Sequence, residues 1–344
     1  MTGLIVAIDG GNSKTDVVMA ATDGRLLGAV RGPTTSHQAV GLEVGLDRLA
    51  GLVLAARARS GLDPGGPPAD TLVCCLAGLD LPIDERRLGR AYASRGFARV
   101  TELHNDTLAA LRAGTPDGWG VAVICGAGVN AVGRHPDGRT ARFAGLGTIS
   151  GDRGGGSGLG MAGLGAAVRA RDGRGPATSL VRTIPAHFGL RRPEEVSEAI
   201  YLGRLQEARM CELAPVVCEA GRDGDAVAKG LVDEVADELA AFALASIRRL
   251  GMSRRPVPVV LAGGLARGAA DLLVPRVSAL VRAVAPAAEV SVLHAPPVLG
   301  AALLGLDRLA PGDRAAADAI RDAIVAWDRT LADGRSAPAS SGPS

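Results

Sequence analysis

Glycine clusters that follow predicted strands constrain the fold of this chain more than any other feature. Glycine contributes 48 of the 344 residues, roughly twice its share in an average protein. The glycines lack the Gly-X-Y period of collagen, and most lie among apolar runs rather than in a linker. Many of them fall in four clusters, at residues 10–11, 126–128, 145–160 and 263–264. Three of these clusters directly follow an apolar run that predicts a strand.

A repeated pattern of turns indicates that the chain contains two related domains. Residues 4–30 predict three strands joined by two turns, and the same order returns over residues 121–143. Each copy opens with an apolar run that ends in glycine. Each also contains an Asp-Gly-Arg turn, at residues 23–25 and 137–139, and Asp-Gly between apolar runs is a strong hairpin signal. We therefore expect two domains that each open with a β-hairpin.

The rest of the chain alternates strands with helices. Residues 42–59 and 224–250 have apolar positions at helical spacing, whereas residues 71–77 form a continuous apolar run typical of a strand buried on both faces. This alternation predicts an α/β protein. We expect a first domain over residues 1–115 and a second over residues 116–332. Residues 333–344, which lack apolar side chains beyond alanine, are expected to be a disordered tail.

Charge, hydropathy and cysteine spacing exclude several classes of protein. The formal net charge of +2 gives no electrostatic footprint for nucleic acid. No apolar run approaches the length of a membrane span. The N-terminus has no basic region and its apolar run stops at Asp9, so we expect a cytoplasmic protein without a signal peptide. The cysteines form no CxxC pair and the histidines no HxxxH pair, which predicts reduced thiols rather than a metal centre.

The first glycine cluster has the composition of a phosphate-binding turn. It reads Asp-Gly-Gly-Asn-Ser-Lys-Thr over residues 9–15. Glycines let consecutive backbone N–H groups face one anion, while Ser13 and Thr15 add hydroxyl donors. Lys14 adds a cation, and it is one of only two lysines in the chain. The cluster is not a Walker A motif, and a simple hairpin turn without a ligand is the alternative.

Two further clusters occupy places suited to the same ligand. Residues 126–130, Gly-Ala-Gly-Val-Asn, follow a strand at the equivalent point of the second copy. Two such turns could hold one polyphosphate between them. Gly263 and Gly264 follow the predicted strand 256–261, where backbone could approach a base or a ribose. An ordinary strand-to-helix turn is the alternative at that point.

The fourth cluster, residues 145–160, surrounds the carboxylate of Asp152. A helix is predicted directly after it, over residues 161–170. The N-terminus of a helix favours anions and hydroxyl-rich ligands, so the cluster is a candidate binding loop. A flexible surface loop is the alternative.

Three carboxylates at strand ends or in loops complete a set suited to phosphoryl transfer. Transfer to a hydroxyl needs a carboxylate that accepts the hydroxyl proton, Mg²⁺ near the phosphates, and donors around the transferred group. Asp9, Asp106 and Asp152 are the candidates. Because Asp106 precedes a helical run, a helix N-cap is its structural alternative.

Taken in chain order, the motifs at residues 9–15, 105–106, 126–130, 151–152 and 261–264 resemble those of the BadF/BadG/BcrA/BcrD-type ATPase family. That family includes the N-acetylglucosamine kinases and belongs to the actin/hexokinase/Hsp70 superfamily. The resemblance extends over residues 4–305. It implies two RNase H-like domains of the actin-like ATPase type with a nucleotide cleft between them. It also implies ATP and Mg²⁺ as cofactors and phosphorylation of the 6-hydroxyl of N-acetylglucosamine or a related amino sugar.

The resemblance also assigns roles to individual residues. Asp9 would act on Mg²⁺ through water, and Asp106 would be the general base. The residues that would contact the nucleotide are Gly10, Gly11, Asn12, Ser13, Lys14, Thr15, Gly126, Ala127, Gly128, Asn130, Gly263 and Gly264. The residues that would contact the sugar are Ser36, His37, Asn105, Gly147, Thr148 and Asp152.

The chain differs from the N-acetylglucosamine kinases at three positions of the sugar site. Ser36 stands in place of Asn, Leu146 in place of Trp, and Arg153 in place of Glu. The resemblance therefore leaves the particular amino sugar open. We expect a small-molecule amino sugar and ATP as partners, with no nucleic acid or membrane, and we consider a homodimer as the assembly.

Two other functions stay open from the sequence. One is the dehydratase-activating ATPase branch of the same family, which bridges a dimer with an iron–sulfur cluster. Cys74, Cys75 and Cys125 lack the placement that such a cluster requires. The other is a nucleotide or sugar sensor without turnover.

Overall fold

Two five-stranded sheets of the same topology organise the chain in a computed structural model that describes residues 2–63 and 65–334. The strands of the first sheet are β1 (Leu4–Gly10), β2 (Lys14–Ala21), β3 (Leu26–Pro33), β4 (Ala69–Leu76) and β5 (Ala98–Asn105). Those of the second are β6 (Gly120–Cys125), β7 (Val129–Arg134), β8 (Thr140–Arg142), β9 (Pro258–Ala262) and β10 (Glu289–Val292). The strand orders are β3-β2-β1-β4-β5 and β8-β7-β6-β9-β10.

The two sheets also share their strand directions. In the first sheet β1, β2 and β3 are antiparallel neighbours, whereas β4 and β5 run parallel to β1. In the second sheet β6, β7 and β8 repeat the antiparallel part, and β9 and β10 run parallel to β6. The α/β fold and the repeated hairpin that the turn signals predict are thus both present.

Helices connect the parallel strands and follow the second sheet. Within the described residues they are α1 (His37–Val40), α2 (Leu42–Arg59), α3 (Pro82–Ala93), α4 (Asp106–Gly114), α5 (Gly155–Arg171), α6 (Leu180–His187), α7 (Pro193–Tyr201), α8 (Ala214–Arg222), α9 (Ala226–Arg249), α10 (Gly264–Gly268), α11 (Ala270–Arg282), α12 (Val298–Leu309) and α13 (Arg314–Ala332). Two 3-10 helices span Gly147–Ser150 and Glu207–Leu213. None of these helices is long and apolar enough to cross a membrane.

The chain divides into two compact units, each built around one sheet. The first unit combines residues up to 118 with the described residues from 295 onward, and the second comprises residues 119–294. This differs from the division expected at residue 115, because α12 and α13 belong with the first sheet. Buried α12 packs against β1, β4 and α4. Of the predicted tail, residues 335–344 lie outside the described residues.

The α5 helix begins earlier than its sequence predicts. Its first residue is Gly155, within the fourth glycine cluster, whereas apolar residues suited to a helix begin only at Met161. Glycine is a poor helix former, but here the first turn of the helix lies directly on another backbone segment. Close packing thus overrides the local propensity at this helix end.

Candidate active site

Three carboxylates meet at one edge of the first sheet. The parallel strands β1, β4 and β5 all end there, and ligands of α/β sheets bind outside such carboxyl ends. Asp9 lies near the end of β1, Asp80 follows β4, and Asp106 follows β5. The register pairs Asp9 with Cys75 and Leu76 with Asn105, so the three strands end almost level.

Asn105, and not Asp106, caps helix α4. The side-chain oxygen of Asn105 accepts hydrogen bonds from the backbone N–H of Thr107 at 3.1 Å and from its hydroxyl at 2.6 Å. The Asn105 amide donates to Asp80 Oδ1 at 2.9 Å and to the Leu79 carbonyl at 3.3 Å. Asn105 therefore fills the N-cap position, and Asp106 is the first residue of the helix. Hydrogen bonds from the backbone N–H groups of Thr107 and of Asp106 itself to the Asp106 carboxylate act to lower its pKa.

The pKa values of Asp106 and Asp9 are both raised. Burial and the nearby carboxylate of Asp80 raise the pKa of half-buried Asp106 to about 6. Burial, followed by the neighbouring carboxylates of Asp16 and Asp106, raises the pKa of Asp9 to about 7. Two carboxyl groups with perturbed pKa values at one sheet edge are typical of a functional site.

Asp9 fits a magnesium ion that is shared with phosphates. No group of three or more His, Cys, Asp or Glu side chains suited to hold a metal occurs within residues 2–63 and 65–334. Mg²⁺ is commonly held by one or two carboxylates, with phosphate oxygens and water completing its shell. A buried carboxylate with a raised pKa gains its ionised form when a cation binds beside it.

The first glycine turn presents some of its predicted ligand residues and buries another. The Gly11 N–H donates to the Lys14 carbonyl at 3.0 Å, which closes a tight turn with Asn12 and Ser13 exposed at its tip. Thr15 is fully buried, and its hydroxyl contacts the Thr35 hydroxyl at 3.0 Å. The Thr15 hydroxyl therefore joins the turn to the chain after β3 and does not reach the tip.

The segment after β3 is attached to the same turn. Thr34 Oγ1 donates to the Gly11 carbonyl at 2.8 Å and accepts from the Ser36 N–H at 3.0 Å. Ser36 is buried, and its hydroxyl has no hydrogen-bond partner among the described residues. Burial lowers the pKa of neighbouring His37, against the opposing charge of Asp84. Ser36 thus keeps a polar group available beside the glycine turn.

In the second unit, the start of α5 lies on the turn between β6 and β7. The Gly156 N–H donates to the Gly126 carbonyl at 2.7 Å, and the Ser157 N–H donates to the Ala127 carbonyl at 3.0 Å. A Cβ atom on Gly155 would lie 2.6 Å from the Ala127 oxygen, which is too close for any other residue. Two glycine clusters that are distant in sequence are therefore in direct backbone contact.

The glycine cluster at residues 263–264 packs against the same turn between β6 and β7. Gly263 has a φ of +102°, and a Cβ there would collide with the backbone of Cys125 and Gly126. By contrast, a Cβ on Gly126, Gly128 or Gly264 would meet no atom within 4 Å. The structure thus brings together two of the predicted nucleotide-contacting segments, residues 126–130 and 263–264, with the start of α5, and leaves open space beside Gly126, Gly128 and Gly264.

Asn130 and the predicted sugar-contacting residues of the second unit, Gly147, Thr148 and Asp152, lie in segments held by contacts within that unit. Asn130 Oδ1 accepts from the Ala131 N–H at 2.7 Å, and its side chain packs on Gly145. Asp152 Oδ2 accepts from the Gly147 N–H at 3.0 Å and from the Ser150 hydroxyl at 2.6 Å. These bonds fix a short 3-10 helix on which Thr148 is exposed.

Sequence reasoning missed three charged residues of the first unit. Asp16 is fully buried and accepts hydrogen bonds from Arg31 and Lys14, while Asp80 lies beside Asp106. Asp16 and Asp328 raise the pKa of Arg31 above its usual range. The available signal was Asp16 within the otherwise apolar strand Lys14–Ala21. Because an unpaired buried charge is costly, a carboxylate at this point predicts a nearby cation.

Comparisons with known proteins support the family resemblance. Residues 6–305 match the family model described as the BadF/BadG/BcrA/BcrD ATPase family. The chain is 31% identical over 265 residues to the N-acetylmuramic acid/N-acetylglucosamine kinase of Clostridium acetobutylicum, covering 76% of this chain and 85% of that protein. It is 26% identical over 314 residues to the N-acetyl-D-glucosamine kinase of Dictyostelium discoideum, covering 88% and 98%.

Solved structures show the same fold. A Chromobacterium violaceum protein, provisionally assigned as an N-acetylglucosamine kinase, matches with a TM-score of 0.69 and 25% identity, covering 88% of this chain and 99% of that one. A ROK family glucokinase from Streptomyces griseus, solved with glucose and AMPPNP, matches with a TM-score of 0.54 and 17% identity, covering 89% and 99%. The latter likeness shows the fold alone. The predicted α/β fold of two RNase H-like sheets is confirmed, and the chain belongs to the BadF/BadG/BcrA/BcrD ATPase family.

Proposed function

We propose that this protein is an ATP-dependent sugar kinase that phosphorylates the 6-hydroxyl of N-acetylglucosamine or a related amino sugar. The observation that carries the proposal is the state of Asp106, which stands at the sheet edge beside Asp80, outside the N-cap position, and has a pKa raised to about 6. The names of the relatives in Clostridium acetobutylicum and Dictyostelium discoideum support the sugar class.

Asp106 is the general base in this proposal. It accepts the proton of the sugar hydroxyl as the hydroxyl oxygen bonds to the γ-phosphorus and the bond to the leaving ADP breaks. A carboxylate with a pKa of about 6 is ionised at neutral pH and is more basic than an ordinary aspartate. Burial therefore suits Asp106 to the task.

Backbone donors bind the phosphates. The exposed tip at Asn12 and Ser13 and the open faces of Gly126 and Gly128 let phosphate oxygens approach backbone N–H groups. Lys14 adds a positive charge at the first turn. Gly264, with open space beside it, is suited to contact the adenosine.

Asp9 would hold Mg²⁺ through water. A Mg²⁺ ion held there would supply positive charge that neutralises the charge developing on the phosphates during transfer. The contribution of the chain is a buried carboxylate at the end of β1, close enough to Asp106 for the two charges to interact.

Two further residues orient the sugar. Ser36 offers a buried hydroxyl without a protein partner, and a sugar hydroxyl or amide group would satisfy it. Asp152 uses one oxygen, Oδ2, to hold its own loop, which leaves Oδ1 for sugar hydroxyls. Both would act on binding rather than on proton transfer.

The test is ADP release coupled to a detecting enzyme, measured with glucosamine, N-acetylglucosamine, N-acetylmuramic acid, N-acetylmannosamine and glucose. We expect one or more amino sugars to stimulate ADP release in the presence of Mg²⁺, and carbon NMR of the product to place phosphate on C6. Failure of every sugar to stimulate release would contradict the proposal. A brown, oxygen-sensitive preparation containing iron would instead favour the dehydratase-activating branch.

A further inference from the structure

A row of charged residues crosses the first sheet beside the glycine turn. The register pairs Asp9 with Asp16 and Asp16 with Arg31, on β1, β2 and β3. Directly opposed residues of neighbouring strands point to the same face of a sheet. Lys14 lies two residues before Asp16 on β2, and alternation places it on that face as well.

Asp16 is completely buried and paired with two cations. Lys14 Nζ donates to its Oδ2 at 2.9 Å, while Arg31 donates through Nε to Oδ1 at 2.6 Å and through Nη2 to Oδ2 at 2.8 Å. Such charge-assisted bonds are strong and directional. They fix the positions of both cations relative to β2.

Arg31 is in turn held by the C-terminal helix α13. Its Nη2 also donates to Asp328 Oδ1 at 2.8 Å, and its guanidinium lies 5.5 Å from the centre of the Trp327 ring. Two of the three bonds to Asp16 come from this anchored arginine. We call Lys14, Asp16, Arg31 and Asp328 the Asp16 network.

Lys14 remains able to bind a ligand while the network holds it. An ammonium group has three N–H donors, and the bond to Asp16 uses one of them. The Lys14 side chain is 43% exposed, whereas that of Asp16 is 0% exposed. The network thus anchors the ammonium on one side and leaves it open on the other.

Stability alone does not explain a charged network in this strand. Replacing a buried ion pair with apolar side chains is often neutral or stabilising. Apart from Lys14 and Asp16, all residues of β2 are buried and uncharged. We propose that Asp16 is a positioning residue, which holds the Lys14 ammonium at the phosphates of ATP with support from Arg31 and Asp328; this inference rests on the proposed kinase function.

The test is a double-mutant cycle on nucleotide binding and turnover. Asp16→Asn places an amide N–H or a neutral oxygen beside Lys14, so the ammonium loses its fixed position. We expect the KM for ATP and the Kd of a non-hydrolysable ATP analogue to rise about 10- to 100-fold, as for loss of a hydrogen bond to a charged group, while the KM for the sugar changes little. In a Lys14→Ala background the same Asp16→Asn change should have almost no further effect on ATP.

Two further variants keep the test decisive if Asp16→Asn does not fold. Asp328→Asn removes the outer support of Arg31, which is partly exposed, and should raise the KM for ATP in the same direction by a smaller factor. Asp16→Glu retains the charge and should recover part of the affinity that Asp16→Asn loses. A purely structural role would lower the melting temperature without this selectivity for ATP.

The chain supplies a matched control in its other lysine. Lys229 donates to Asp233 at 2.6 Å on the exposed face of α9. Lys229→Ala, Asp233→Asn and their combination should leave ATP binding and turnover unchanged. Equal effects of Asp16→Asn with and without Lys14 would overturn the positioning role while leaving the kinase proposal intact. A wild-type protein that binds no nucleotide would overturn both.

Discussion

Asp9 on β1 and Asp16 on β2 are directly opposed in the antiparallel ladder, and both are buried. Two carboxylates in this position repel each other when both are ionised. Asp16 is already neutralised by Lys14 and Arg31. Asp9 forms no ion pair within residues 2–63 and 65–334, and burial, together with the charges of Asp16 and Asp106, raises its pKa to about 7. Asp16 thus organises the sheet edge, and Asp9 is the carboxylate that we propose acts on Mg²⁺.

The first prediction concerns the proposed general base. Asp106→Asn should lower the rate of sugar phosphorylation about 10²- to 10⁴-fold, the usual effect of losing general-base catalysis. The Kd of an ATP analogue should stay close to the wild-type value. Coupled ADP release and titration calorimetry measure the two effects.

A control variant separates catalysis from a general effect of charge removal. Asp117→Asn changes an exposed carboxylate in the same unit and should keep full activity. Folding raises the pKa of Asp106 from 3.8 to about 6. The folded protein therefore loses stability as pH rises from about 3.8 to about 6, because ionisation of Asp106 is less favourable in the folded than in the unfolded chain. Asp106→Asn should therefore melt no lower than the wild type at neutral pH, and unchanged sugar-phosphate formation would contradict the assignment.

The second prediction is the pH dependence of kcat/KM for the sugar. Asp106 must be ionised to accept a proton, so activity should fall as pH drops through about 6. An unshifted aspartate would lose activity only near its ordinary value of 3.8. The profile should be recorded with saturating Mg²⁺ and ATP, because a bound cation lowers the pKa of Asp9. An acid limb near pH 4 would contradict a general base whose pKa is raised by burial.

The third prediction concerns the hydroxyl of Ser36. Its buried oxygen has no partner in the described part of the chain, so Ser36→Ala should not lower the melting temperature. If the sugar is the missing partner, the KM for the sugar should rise about 5- to 10-fold, as for loss of one ordinary hydrogen bond. The KM for ATP should not change. An unaltered KM for the sugar would remove Ser36 from the sugar site.

The fourth prediction concerns Asp152. Asp152→Ala removes the acceptor for the Gly147 N–H and the Ser150 hydroxyl, together with a proposed sugar contact. We expect the KM for the sugar to rise about 10- to 100-fold, with little change in nucleotide affinity. The matched control is Asp137→Ala, at an exposed turn of the same unit. Equal sugar kinetics in the two variants would argue against a sugar contact at Asp152.

Short-range signals predicted much of the fold. The helix expected at residues 42–59 is α2 with the same bounds, and apolar runs ending in glycine located β1 and β6. These features depend on neighbouring residues, which a sequence displays directly. The packing of α12 on the first sheet depends on partners nearly 300 residues away, such as Ile5, which contacts Gly305. No local pattern contains that information.

The candidate site shows the same limit. Asp9, Asp106 and the glycine turns stood out because charged or flexible residues followed apolar strands. The motif over residues 9–15 places Thr15 in the turn, whereas strand alternation puts its side chain on the face opposite Lys14. The capping role of Asn105 and the pairing of Asp16 with Arg31 both depend on contacts across strands.

The last prediction tests close packing at α5 with two glycines of the same helix. A Cβ on Gly160 would collide with the backbone oxygen of Met210, whereas one on Gly165 would meet no atom within 4 Å. Gly160→Ala should destabilise the protein by about 1–3 kcal/mol or more, because the helix must move away from Glu207–Leu213. Gly165→Ala should stabilise it by about 0.5–1 kcal/mol, because alanine loses less backbone entropy in a helix. Calorimetric melting temperatures measure both changes, and a Gly160→Ala variant as stable as Gly165→Ala would show that α5 does not lie as close to Met210 as described.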